Sequence, residues 1–452
     1  MFTAAAGRDS VTVPGWARPH KHRYALSTIT TLVCTVVASV TMRAAARAYA
    51  IFEGEKMGKR SLSPSYSSVR LWLLRVGVYQ LTKAVQNAGD WIYIVDHCVR
   101  VGSAKLFVVL GVRLSQLPED FRLERSQMTV VHIEVMEDAN KQNVKAALDK
   151  AVARTSVPCQ IVSDGGSDIR CGVSLFQEEN ADVMWSYDIH HKVAAELKAL
   201  AEADASWGEL STALAQFKVQ VQQTDLAALA PPAQRGKARY MNIDVLLSHV
   251  RNFILPVFRR PEAYAETLKM PAEELKARLA WINDHRATIS LWEQLAIVGE
   301  FVRAVVNQYG YGDPAIAILR GKLGPYISAY PHMTAAKLAA RLLAFVEEQS
   351  RAIPPRQRML GSTEIIESLF GRLKHLLGEY ARNGFTGLVV VLAAIVSTPS
   401  QADVMRALSS ITTRDALAYV RAVAGVTVQQ TRQEIRSVTR QEENPGKRRI
   451  AA

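Results

Sequence analysis

Apolar residues at Val69, Trp72, Leu73 and Val76 recur at i, i+3, i+4 and i+7, the spacing of one helical face, and predict a helix over about 67–85. Ser65 or Ser67 can cap its start. Two shorter helices are expected before it, over about 27–38 and 42–52, separated by the break "SVT" and followed by the Gly/Lys/Ser/Pro stretch "GEKMGKRSLSPSYS". At Asp90 the period changes. Short apolar runs predict strands in "WIYIVDHC" (91–98), "KLFVVLGVRL" (105–114) and "TVVHIEVM" (129–136). "NKQNVKAALDKAVAR" (140–154) returns to helical period through Val144, Ala147, Leu148, Ala151 and Val152. A fourth strand is expected in "PCQIVSDGG" (158–166), where two glycines turn the chain, and a fifth in "ADVMWSYDIHHK" (181–192), which leads into a helix.

Three strands joined by short connections and followed by an α/β alternation imply a mixed α+β fold, with a mixed sheet flanked by helices. Between 193 and 355 the pattern is helical almost throughout, punctuated by Pro231-Pro232, Pro256, Pro261, Pro314 and Pro354-Pro355. The expected layout is a helical region over 1–89 and a first part of the sheet domain over 90–192. An all-α insertion fills 193–355, and the sheet domain resumes over 356–400. C-terminal helices and a basic tail occupy 401–452. "GLVVVLAAIVS" (387–397) reads as a buried helix.

Composition narrows the class. At 452 residues, 49% hydrophobic and 21% charged, the chain suits a soluble globular protein of two to four domains. Residues 24–42 have the length of a membrane span, but seven of the nineteen are Ser or Thr, so a buried helix is expected there and no membrane association. Four cysteines (Cys34, Cys98, Cys159, Cys171) form no C-x-x-C pair, which suits reduced thiols in the cytoplasm and argues against structural zinc. The net charge of +13 suits a polyanionic partner. Residues 1–89 hold twelve Lys or Arg against three acids, most of that excess. Two short helices and a third with Arg70 and Arg75 off its apolar stripe are how a helix-turn-helix presents a reading helix to the DNA major groove, with Arg43 and Arg47 as further contacts. A solvated basic bundle would share this pattern. "PPAQRGKARYMN" (231–242) adds a basic loop, with Arg235, Lys237 and Arg239 able to follow a phosphate backbone. Trp207, Trp281 and Trp292 are candidates for stacking on an unpaired base, although core packing is the commoner use of tryptophan.

Carboxylates mark the candidate chemistry. A bare Asp96 inside an apolar strand is costly unless paired or bound to a cation. Asp164 ends the fourth strand, and in a three-strand meander followed by β-α-β the first and fourth strands are neighbours. The two aspartates would then lie side by side, where divalent ions relieve their repulsion. Mg²⁺ ions held about 4 Å apart can activate an attacking oxygen and stabilise the leaving oxygen of a phosphodiester. A third acid is expected from "STEIIESLFGRLKHL" (362–376), where Ile366, Leu369, Phe370 and Leu373 form the apolar face. Glu367 lies between those rows, Glu364 competes one turn earlier, and Lys374 projects two turns later. By itself the stretch also describes an ordinary amphipathic helix.

With Asp96, Asp164 and Glu367 in order, the chain resembles the DDE transposases over about residues 25–400. Glu367 and Lys374 match the E-x₆-K spacing of several insertion-sequence families, while Leu360 and Thr363 stand where a subgroup carries Tyr and Arg. "DIHH" places Asp188 and His191 at the spacing of the C/D-x-x-H motif found in transposases with helical insertions; a strand end with a solvated histidine is the plainer reading. The resemblance implies a ribonuclease-H-like catalytic fold and two Mg²⁺ ions, replaceable by Mn²⁺, on Asp96, Asp164 and Glu367. It also implies phosphate contacts from His191 and Lys374, and a dimer or larger assembly on double-stranded DNA in the nucleoid. A structure-selective nuclease on the same fold, or a non-catalytic DNA-binding derivative, would share these features. Asp168 and Asp182 read as ordinary surface acids.

Overall fold

Helix α1 (Leu26–Val37) forms where the membrane-length apolar stretch lies, and Leu26, Ile29, Leu32, Val33, Val36 and Val37 bury one side of it. The structure, a computed structural model, describes residues 14, 16–20, 22–38, 40–57, 63–101, 103–232, 243–377, 385–425, 432 and 434–437. No helix among them is long and apolar enough to cross a membrane. The chain continues through α2 (Met42–Met57) and α3 (Tyr66–Thr82), β1 (Trp91–Val101), β2 (Ala104–Arg113), β3 (Thr129–Met136), α4 (Lys141–Val152), β4 (Gln160–Ser163), α5 (Ser167–Glu179) and β5 (Met184–Tyr187). It divides into two compact units. One comprises Met1–Leu117, Leu123–Trp185 and Thr363–Ala452; the other comprises Pro118–Arg122 and Ser186–Ser362.

In the first unit the strands form one mixed sheet in the order β3-β2-β1-β4-β5. β1 runs antiparallel to β2, which runs antiparallel to β3, and β1 pairs parallel with β4 from Ile92 opposite Gln160 to Val95 opposite Ser163. The strands read as continuous apolar runs because helices cover both faces. On one face Trp91, Tyr93 and Val95 of β1, Phe107 and Val109 of β2, and Ile161 of β4 pack with Val144, Ala147 and Leu148 of α4 and Ile169, Val173 and Phe176 of α5. Pleating sends Ile92 and Ile94, both fully buried, to the opposite face.

The second unit is helical: α6 (Ile189–Ala203), α7 (Ala205–Val221), α8 (Ile243–His249), α9 (Leu255–Arg259), α10 (Ala272–Arg278), α11 (Ile282–Tyr309), α12 (Asp313–Ala329) and α13 (Thr334–Ser350). One π-helical turn, Val250–Ile254, joins α8 to α9 without a break. An isolated bridge between Tyr311 and Met359 is the unit's non-helical pairing among the described residues. Trp207 and Trp292 are core residues here: both are buried, with ring centroids 4.1 Å apart, and Trp292 Nε1 donates to Asp204 at 2.9 Å.

The chain then returns to the first unit with α14 (Glu364–Leu377), α15 (Val391–Ser397), α16 (Gln401–Ser410) and α17 (Thr413–Ala424). The last three pack around α3, and α14 packs against β1 and α15. This enclosure corrects the expectation of an outward reading helix. Ser65 does cap α3, accepting from Ser68 N at 3.2 Å, and the predicted stripe is buried. But Leu74, Val78 and Leu81, which lie off that stripe, are buried as well. A Cβ on Gly77 would meet the Val390 carbonyl oxygen at 2.3 Å, so only glycine permits this approach. Arg75 is inside too. Its Nε donates to Ile411 O at 2.5 Å, one terminal nitrogen donates to Leu408 O, and the other lies 2.8 Å from His22 Nε2. The two carbonyls end α16, where the aligned peptide dipoles present negative charge, and the guanidinium satisfies them.

Candidate active site

The register of β1 and β4 places the first two carboxylates. Val95 is paired with Ser163, so Asp96 and Asp164 follow at the same edge of two adjacent parallel strands. By the pleat, Asp96 shares the face of Ile92 and Ile94, away from the α4–α5 core. Its Oδ1 accepts the His97 amide at 2.6 Å. β4 is shorter than the sequence pattern predicts because the chain turns directly after Ser163. Gly165 has φ of 71°, in the left-handed region, and Gly166 N donates to Asp164 Oδ1 at 2.9 Å. Both aspartates remain partly accessible to solvent.

Behind this edge, on the α5 face, lies a polar cluster that the sequence does not announce. Asp168, in the first turn of α5, is not a surface acid: its side chain is 15% exposed, and Lys105 Nζ and His97 Nε2 approach it at 2.5 and 3.1 Å. Burial raises the proton affinity of Asp168, but the Lys105 ammonium and the His97 ring outweigh it and hold the carboxyl below its ordinary range. Burial lowers the pKa of His97, helped by Lys105 and opposed by Asp168 and Asp164. His97, the residue after Asp96 in β1, thus meets the first turn of α5 through Asp168.

Helix α14 buries Ile366, Leu369, Phe370 and Leu373 and leaves Glu364 and Lys374 exposed, with Glu367 between those extremes. Its last turns run near the end of β1. The Cys98 thiol is pushed up to about 12, mainly by burial; the Lys374 charge lowers it and the Asp96 charge raises it. Lys374 and Asp96 therefore both lie within electrostatic reach of the same sulfur.

In the helical unit, Asp188 follows β5 directly and caps α6, which shortens the expected strand to Met184–Tyr187. Asp188 is 1% exposed. Its Oδ1 accepts the His190 amide at 3.1 Å and its Oδ2 meets His191 Nδ1 at 2.6 Å, so a buried carboxylate is satisfied by its own helix start. The carboxylate occupies the Nδ1 side of the His191 ring and fixes its orientation. The corner is held firmly: Tyr311 Oη donates to Tyr187 O at 2.7 Å, and Ile189 N donates to Gly361 O at 3.0 Å.

The basic candidates separate by exposure. Arg43 and Arg47 on α2 face solvent, and the Arg43 guanidinium sits 5.3 Å from the Tyr66 ring centre. Arg70 is half-buried, and Arg75 is withdrawn into the core as described. Arg235, Lys237 and Arg239 lie outside the described residues. Trp281 stays partly exposed, stacked loosely with Phe217 and His285. The sequence matches no protein-family model and no curated protein.

Proposed function

We propose that this chain is a DNA transposase that cuts and rejoins phosphodiesters with two Mg²⁺ ions held by Asp96, Asp164 and Glu367. The observation that carries the reading is the parallel β1–β4 register, which brings two aspartates 68 positions apart in sequence to one sheet edge. The donor set fits the ion. Mg²⁺ prefers hard carboxylate oxygens with open positions for water and phosphate, and all three acids are partly accessible to solvent. Among the acids of α14, Glu367 suits the third position better than Glu364, because Glu364 faces bulk solvent. The ions supply charge stabilisation to the attacking and departing oxygens of an in-line displacement.

The chain's own groups do the rest. Asp96 and Asp164 stay fixed by the His97 and Gly166 amides, so little reorganisation is needed on binding. A water oxygen bonds to phosphorus as the bond from phosphorus to O3′ breaks, and the freed 3′-hydroxyl then bonds to a phosphorus of target DNA as that phosphorus releases its own O3′. Lys374 and His191 serve phosphate oxygens, and the Asp188 carboxylate sets the His191 ring. The exposed arginines of α2, Arg43 and Arg47, take the DNA-contacting role that the enclosed Arg75 cannot fill. A dimer or larger assembly joins two DNA ends. The test is Mg²⁺-dependent nicking and joining of DNA from the ends of the mobile segment. Wild type should act, and Asp164→Asn should fall by at least about 10³-fold. Equal activity in both would end the metal-site reading. Titrating Mn²⁺ into Glu364→Ala and Glu367→Ala separates the two glutamates, since only the true ligand's loss weakens binding.

A further inference from the structure

Some exposed cations in the helical unit are neutralised by acids. Arg320 pairs with Glu347 at 2.6 Å, Arg341 with Glu196 at 2.9 Å and Arg278 with Glu274 at 3.0 Å. At one concave site three cations without an ion pair among the described residues meet. Where α9 ends and α10 and the first turns of α11 face it, a cleft of about 550 Å³ is lined by Phe258, Arg259, Glu273, Lys276, Asn283 and Arg286. Arg259, Lys276 and Arg286 are all exposed, and none has an ion-pair partner among the described residues. The Arg286 guanidinium lies 5.1 Å from the centre of the Phe258 ring, which orients it and leaves its donors for a ligand. Glu273 is the cleft's single acid, because Glu274 is taken by Arg278.

We propose that this cleft binds the phosphodiester backbone of DNA, a second anchoring site apart from α2 and the 231–242 loop. The proposal rests on the DNA-acting reading of the chain. Three cations against the single Glu273 leave the concave wall net positive, and a strand of phosphates supplies regularly spaced negative charge. The Asn283 amide adds a neutral donor, and Phe258 gives an apolar surface beside the sugar. The excess of 13 positive charges over the chain attracts the same polyanion.

The experiment measures DNA affinity by fluorescence anisotropy across KCl concentrations, using a short labelled duplex and the same sequence as a single strand. Each backbone contact contributes about 0.9 to the slope of log affinity against log salt on duplex and about 0.7 on a single strand. Substituting Arg259→Ala, Lys276→Ala and Arg286→Ala together should lower the slope by about 2 to 3 on the strand form that the cleft holds. Arg259→Lys with Arg286→Lys should keep it. Arg320→Ala with Arg341→Ala, which removes two paired arginines, should leave it unchanged. An unchanged slope in the triple variant with an intact circular dichroism spectrum overturns the proposal, as does full-length protein that binds neither DNA form. Equal competition by polyglutamate also overturns it, since the cleft would then serve an acidic polypeptide. Nicking that depends on Asp164 while the slope stays fixed would remove this cleft alone. A lowered slope with nicking indifferent to Asp164→Asn would remove the catalytic reading instead.

Discussion

Helix α3 leaves only Ser67 and Thr82 exposed, whereas α14, in the same unit, keeps Glu364, Ser368, Gly371, Lys374 and His375 in solvent. Both helices bury a full apolar stripe. The difference lies in what stands on the other side. α14 is covered along one face by β1 and α15, while α3 meets α15, α16 and α17 around its remaining circumference. Charge follows from cover. Arg75 is tolerated inside because carbonyls at the end of α16 receive it, and Glu367 keeps partial access to water. A charged residue beside an apolar stripe is thus a surface group on one helix and a buried tie on another.

Matched substitutions can break this contrast. The largest effect is expected on activity: Glu367→Gln should cut Mg²⁺-dependent nicking by at least about 10³-fold, equivalent to about 4 kcal/mol of barrier, with denaturation midpoints unmoved. If the midpoint falls instead, α14 is as structural as α3. On α3, Gly77→Val drives new atoms into the Val390 backbone and should cost about 3 kcal/mol in urea unfolding. Arg75→Met, which strands the Leu408 and Ile411 carbonyls, should cost about 2 kcal/mol while DNA affinity stays at the wild-type level. A loss of DNA affinity without a loss of stability would restore the outward reading of α3. The smallest change is a gain: Gly371→Ala meets no neighbouring atom, and replacing an exposed helical glycine should stabilise by about 0.5–1 kcal/mol.

Much of the sheet was legible because its signals are local. β3 occupies the predicted 129–136, α4 lies within the predicted 140–154, and the adjacency of β1 and β4 follows from strand order and connection length. Asp96 stood out because a carboxylate in an apolar strand is costly unless it is paired or bound to a cation. The misreadings share one cause, which is cover supplied from far along the chain. Arg75 is bonded to carbonyls more than 330 positions downstream, and no helical period reveals that. Asp168 looks like a first-turn surface acid until Lys105, 63 positions earlier, reaches it across the sheet. β5 proved short because Asp188 serves the next helix as its cap and not the strand as its end. The α9–α11 cleft was invisible because the convergence of Arg259, Lys276 and Arg286 depends on how three helices meet, not on composition.

The first unit is assembled from chain segments separated by the whole helical unit, and α3 receives its last covering layer from residues beyond 387. During synthesis, α3 therefore leaves the ribosome some three hundred residues before α15, α16 and α17 exist. A nascent chain in that interval carries an uncapped apolar cylinder, the kind of surface that holdase chaperones grip. Fragments ending before α15 should accordingly be recovered as aggregates, however complete their strands.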